Sequence, residues 1–219
     1  GFTTNSFFII KIGIRRYCNY MAETVLDVDM LAFENGSKSD RKAVVDGVMQ
    51  SLKTGFVYTS HDMSQDFLDQ VYGMLGIFFD LSSDEKQTVT ANNTNGQRGY
   101  TGLLVETAAI SDIPDWKEML NWGMDLPSGH PLKARYPHRF LDNIFPENLV
   151  PGITETLETF HNQVLELQLR FLRIIAAGLN ASEDFFDSFV PGGANLTRAI
   201  HSPAMNLAPN DTHLWAEEH

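Results

Sequence analysis

The side chains best placed for chemistry in this sequence are histidines, carboxylates and arginines. His213 and His219 stand an even number of residues apart, so a continuous strand would turn both to one face and permit a two-histidine metal site. Taken alone, His213 reads as a surface or packing residue. Arg98 can grip a carboxylate with two parallel hydrogen bonds, and Arg198 lies on an apparent inner strand, where a guanidinium is costly unless paired. Tyr100, Glu118 and His201 could face a pocket, but a packed aromatic, a structural carboxylate and a satisfied core histidine explain them better. No Gly-x-Ser-x-Gly turn, phosphate-cradling loop or His-Glu-x-x-His segment occurs. Hydrolase, nucleotide-binding and zinc-protease chemistries therefore have no support.

Composition narrows the partners. Twenty-eight acidic residues against 16 basic ones give a net charge of −12. Nucleic-acid binding draws on clustered Lys and Arg, so neither nucleic acid nor an anionic membrane is an expected partner. No apolar run approaches the roughly 20 residues that span a bilayer. Cys18 is the single cysteine, so no intrachain disulfide can form, which suits a cytoplasmic location. Phe7-Phe8-Ile9-Ile10 precedes Arg15-Arg16, the reverse of the order in a secretory signal. Residues 1–20 are expected to be a poorly ordered extension, with folding information starting near Met21.

The elements that must position these side chains follow from periodicity. Val25 to Asp29 alternates like a short strand. Ser39 or Asp40 can cap a helix running to about Lys53, with Val44, Val45, Val48, Met49 and Leu52 inward, and Phe56 to Thr59 is β-prone. Ser64 caps a second helix, whose stripe is Phe67, Leu68, Val71, Leu75, Phe78 and Phe79, and Ser82 to Glu85 resembles another helix start. Strands are expected over Gly99 to Val105 and Trp116 to Trp122, with both tryptophans on one face. A long irregular loop then fills the proline-rich stretch from Pro127 to Pro151. The longest helix runs from about Gly152 to Leu179, with Asn180 as its cap. A short helix over Ser182 to Val190 follows, then strands over Leu196 to Leu207 and His213 to His219. The order predicts an α+β fold.

Several of these segments, in order, resemble the isopenicillin N synthase-like oxygenases. Val25-Leu26-Asp27-Val28-Asp29 matches that family's opening strand. Leu52-Lys53-Thr54-Gly55-Phe56-Val57-Tyr58 resembles its helix-to-strand turn. Phe78-Phe79-Asp80-Leu81-Ser82 with Glu85-Lys86 resembles its Phe-Phe-x-Leu-x-x-x-x-Lys signature, and Arg98-Gly99-Tyr100 its Gly-Tyr element. Asp115-Trp116-Lys117-Glu118 resembles the Lys-Glu strand, and Leu196 to Pro203 comes next in the expected order. One departure is Ser202, where the family usually has a tyrosine that often contacts the cosubstrate.

The resemblance implies N-terminal helices and strands flanking a double-stranded β-helix, or jelly-roll, core of which this chain holds the beginning. Residues 21–130 would be the N-terminal dioxygenase region, and residues 131–219 the long helix and first core strands. It also implies Fe(II) held by two histidines and an aspartate, a set that leaves open positions for 2-oxoglutarate and O2. His219 would be the first of these ligands. Arg98, Tyr100, Glu118, Arg198 and His201 would be candidates for the substrate or cosubstrate pocket. A small-molecule substrate would be hydroxylated, desaturated or cyclised. The 219-residue chain, with one imidazole of the three ligands, is expected to bind Fe(II) weakly and not turn over. Two alternatives stay open: a non-catalytic remnant acting as an interaction module, and a relative that does not use 2-oxoglutarate.

Overall fold

The computed structural model describes residues 25–53, 55–107, 112–190, 192–210 and 212–215. The extension expected over residues 1–20 and the ligand expected at His219 lie outside the described residues. In chain order the elements are β1 (Leu26–Val28), α1 (Met30–Asn35), α2 (Lys38–Ser51), β2 (Val57–Thr59), α3 (Gln65–Phe79) and α4 (Ser83–Gln87). There follow β3 (Gly99–Thr101), β4 (Glu118–Gly123), α5 (Pro131–Arg135), α6 (Ile153–Gly178) and β5 (Leu196–His201). They group into two compact units. One joins the residues up to Asp62 with Leu167–Ser188; the other joins Met63–Glu166 with the chain from Phe189 onward. Among the described residues no helix is long and apolar enough to cross a membrane.

In the first unit β1 pairs in parallel with β2. Its core gathers Val28, Met30, Phe33, Val44, Val48 and Ile174. Ser37, rather than Ser39 or Asp40, caps α2. Its hydroxyl accepts from the Asp40 N–H while the Asp40 carboxylate accepts from the Ser37 N–H. This reciprocal box satisfies two backbone donors at once, and no other pairing in Ser37-Lys38-Ser39-Asp40 does so. Leu52 is exposed. The helix ends at Ser51, before Leu52 can join its inner stripe. Arg170 is gripped through Nε and Nη2 by both Glu34 oxygens, at 2.6 and 2.7 Å, and through Nη1 by Asp62 at 2.8 Å.

The second unit is built on the antiparallel sheet β3-β4-β5. Every residue of β4, the central strand, is buried. Alternation puts Glu118, Leu120 and Trp122 on one face, with Tyr100 of β3 and Thr197, Ala199 and His201 of β5. This face packs on Val71, Leu75, Phe78 and Phe79 of α3 and on Ile153 and Leu157 of α6. Phe78, Leu120 and Leu157 are fully buried, each worth roughly 1.5–3 kcal/mol relative to exposure. The Trp122 indole N–H donates to Leu157 O at 3.0 Å. Met119, Asn121, Arg198 and Ile200 take the opposite face.

Some expectations shift at element ends. The strand expected from Trp116 begins at Glu118, and the indole of Trp116 reaches Ala204 O instead. β5 stops at His201, and Met205–Leu207 is a 3-10 turn. Pro203 has no N–H to extend the ladder. His213, in the last expected strand, is buried outside any strand, with Nδ1 3.0 Å from Pro114 O. The loop between Pro127 and Pro151 contains the short α5. No helix forms over residues 183–189, where the hydrogen bonds run from residue i to i+3 and Phe185 and Phe189 stay exposed. Asn180 does take the left-handed conformation of a helix-ending residue, at φ 57°.

Candidate functional site

Glu118 is the best-connected candidate. It opens β4, is 2% exposed, and faces His201 directly in the strand register. The His201 Nδ1 lies 2.8 Å from Glu118 Oε1, and the Tyr100 hydroxyl donates to Oε2. From α4, the Lys86 ammonium stands 2.8 Å from Oε2 and also donates to Phe79 O at 2.9 Å. The capping box of Ser82 and Glu85 fixes the start of α4 and so the reach of Lys86. Burial alone would push the Glu118 carboxyl up. Hydrogen bonds from Lys86, Tyr100 and His201, with the Lys86 charge, hold it below the usual glutamate range. An ionised carboxylate can only accept, so His201 donates through Nδ1–H. Burial, then the carboxylate beside it, push the Tyr100 phenol up.

Arg198 lies on the opposite sheet face. Its Nε donates to Asn121 Oδ1 at 2.8 Å and its Nη1 to Glu106 Oε1 at 3.1 Å. Lys117 bridges Glu106 and Asp115, at 2.7 Å each. Two cations and two carboxylates therefore balance within this cluster. Burial would raise the Glu106 carboxyl, but Lys117 and Arg198 pull it down. Burial likewise works against the Lys117 ammonium, and the bonds to Asp115 and Glu106 lift it above its ordinary value. Asn121 is fully buried, and its Nδ2 has no acceptor among the described residues. An amide flip would leave two donors facing each other at Arg198 Nε, so the orientation is fixed.

Arg98 stands apart from both clusters. It is 2% exposed, and its Nε and Nη1 donate to Leu141 O and Gln97 O. A Cβ at Gly123 would sit 2.4 Å from Asn195 O and 2.7 Å from the Arg98 Nη2, so only glycine fits there. Nearby on α6, His161 is buried with Nδ1 2.6 Å from Thr197 Oγ1, and its Nε2 has no partner among the described residues. Burial, then the Arg98 charge, lower its pKa to about 4.

The structure thus brings Tyr100, Glu118 and His201 together, puts Arg198 on the other face and sets Arg98 at the strand end. His219 lies outside the described residues. Reading the sequence missed Lys86, Asn121 and His161 as participants. The lysine closing the Phe78-Phe79-x-Leu81 signature was the available signal for the first; the other two gave none. Among the described residues no three His, Cys, Asp or Glu side chains cluster as a metal site would need.

The sequence matches the family described as "non-haem dioxygenase in morphine synthesis N-terminal" over residues 25–148. The chain belongs to this family. A curated relative, the 2-oxoglutarate-Fe(II) type oxidoreductase hxnY of Emericella nidulans, is 28% identical over 152 residues, covering 68% of this chain and 43% of the relative. Among solved structures, a full-length Neurospora crassa protein in complex with alpha-KG is 27% identical. It superposes with a TM-score of 0.71 over 88% of this chain and 59% of its own. A 2OG-Fe(II) oxygenase family protein from Caulobacter crescentus is 28% identical, with a TM-score of 0.71 over 86% and 59%. The chain spans about half the length of the curated relatives it matches. The α+β fold, with N-terminal helices and small sheets, is that of the 2OG-Fe(II) oxygenases.

Proposed function

We propose that this chain forms the N-terminal region and opening core strands of an Fe(II), 2-oxoglutarate-dependent oxygenase. The substrate would be a small molecule, with O2 as oxidant, in hydroxylation, desaturation or ring closure. The observation that carries the reading is the likeness to the alpha-KG complex of the Neurospora crassa protein, at 27% identity over 88% of the chain. Residues 21–130 would be the N-terminal dioxygenase region, residues 131–219 the long helix and the start of the jelly-roll core, and residues 1–20 an extension. His219 would be the first iron ligand. When bound, the iron and 2-oxoglutarate supply the oxidising chemistry, and the protein orients the substrate.

The described residues have two parts in this reading. Arg198, anchored by Glu106 and Asn121, presents a fixed guanidinium on the sheet face away from the helices and would touch substrate or cosubstrate. Glu118, Tyr100 and His201 are saturated by one another and by Lys86, and would hold that sheet in place beside the pocket. Arg98 would steady the end of β3. A cytoplasmic location, without nucleic-acid or membrane partners, agrees with the lone Cys18 and the charge of −12.

The test is succinate formation from 2-oxoglutarate with Fe(II), ascorbate and air, using protein extended through the coding sequence beyond His219. Turnover that His219→Ala abolishes is the expected result, with none from the 219-residue chain. Succinate release by the chain alone, or an extended protein whose activity ignores His219→Ala, would overturn the reading.

A further inference from the structure

Of the arginines among the described residues, Arg41, Arg170, Arg173 and Arg198 pair with carboxylates, and Arg98 is buried against backbone carbonyls. Arg135 and Arg139 have no carboxylate within ion-pair reach among the described residues. Both lie in the stretch 126–141, which contains no Asp or Glu although the chain carries −12. The third cation of that stretch, Lys133, is already engaged by Asp142, Asp125 and Leu126 O.

One of the two, Arg139, lines a cavity of about 370 Å³ together with Leu132, Tyr136, Phe140, Gly192 and Ala194. That lies within the roughly 300–1,000 Å³ of small-molecule sites. α5 and the turn after it form one wall and residues 192–194 the other. A Cβ at Gly192 would stand 2.9 Å from Leu132 Cδ1, and its φ is +79°, so glycine is what lets the second wall approach. The Arg135 guanidinium sits 5.3 Å from the centre of the Tyr136 ring. The cleft therefore sets the side chains of Leu132, Tyr136 and Phe140 beside the Arg139 guanidinium, which has no carboxylate partner among the described residues.

We propose that this cleft binds a small organic anion, with a carboxylate or phosphate monoester on a flat apolar body. Arg139 takes the anionic group in a two-pronged bond. Tyr136, Phe140 and Leu132 receive the body, and Arg135 adds to the positive field. The site shares no residue with the Glu118 and Arg198 clusters and does not depend on the oxygenase reading. Arg139 in the cleft, with Arg135 near it in sequence, also falls short of the row of phosphate contacts that nucleic acid requires.

The test is a nuclear magnetic resonance titration of the isotope-labelled 219-residue chain at constant ionic strength. Four probes are used: sodium benzoate, phenyl phosphate, benzyl alcohol and inorganic phosphate. Benzoate or phenyl phosphate should shift the amides of residues 132–140 and 192–194 saturably, and the stronger of the two identifies the headgroup. Benzyl alcohol and inorganic phosphate each supply half of the recognition and should bind at least tenfold more weakly. Arg139→Gln, at an exposed position, should weaken the better anion at least fivefold and leave the rest of the spectrum in place. Equal binding of benzyl alcohol and benzoate, an unaffected Arg139→Gln variant, or no saturable shift in these residues would overturn the proposal.

Discussion

Glu118 accepts hydrogen bonds from Lys86, Tyr100 and His201 while 2% exposed, and the Lys86 contact ties α4 to the sheet. Lys86→Met should cost about 3–5 kcal/mol, because it strands a buried carboxylate. The double variant Lys86→Met/Glu118→Leu should recover a large part of that loss. Urea unfolding of both single variants and the double measures the coupling, and simple additivity would remove the idea that the pair acts as a unit. His161 gives a separate acid signature. Its folded pKa of about 4 lies below the ordinary 6.5, so the unfolded chain takes up the proton first. Stability should fall as pH drops from 6.5 to 4 and then level off for this group, losing at most about 3 kcal/mol. Glu118 and Glu106 are shifted the same way but are carboxylates, so what they contribute is present above the usual glutamate range and lost below it. In His161→Gln the slope between pH 6.5 and 4 should flatten while the steeper loss at lower pH remains.

At the scale of elements, β3 depends on a glycine. Gly99 has φ +69°, and a Cβ there would meet Val89 O at 2.2 Å. Gly99→Ala combines backbone strain with a clash against main chain and should destabilise by about 3 kcal/mol. Ser82→Ala, which removes one half of the α4 capping box, should cost about 1 kcal/mol. Chemical denaturation ranks the two, and a larger loss at Ser82 would contradict the clash argument. The stripe of α3 and the span of the long helix were legible in the sequence because 3.6-residue periodicity is a local property. β4 was legible as a β-prone segment, although its first residue was not. What stayed hidden depends on partners distant in sequence. The register setting Glu118 opposite His201, the arrival of Lys86 from α4, and the unpaired amide of Asn121 are all properties of the assembled sheet. Ser37 was missed because three neighbouring side chains can each cap, and only the reciprocal bond with Asp40 distinguishes it.

At the scale of the whole molecule, two features oppose each other. β5 pairs with β4 alone among the described residues, so its other side offers backbone groups that no described strand pairs, and Ile200 and Leu196 are exposed on the strand. Such an edge is a template for pairing with another chain. Against this stands the charge of −12, which keeps copies apart over a distance set by salt. The screening length falls from about 14 Å at about 0.05 M to about 4 Å at about 0.5 M. Self-association of the 219-residue chain should therefore strengthen as salt is raised, which sedimentation velocity at those two concentrations would measure. Ile200→Lys puts a strongly hydrated charge on the open face and should weaken the high-salt association at least fivefold. Unlike a change in the core, it leaves Glu118 and Lys86 untouched. If association instead weakened with salt, attraction between unlike charges would be its source and the strand edge would not. If salt strengthened it but Ile200→Lys left it unchanged, a surface other than β5 would be joining the copies.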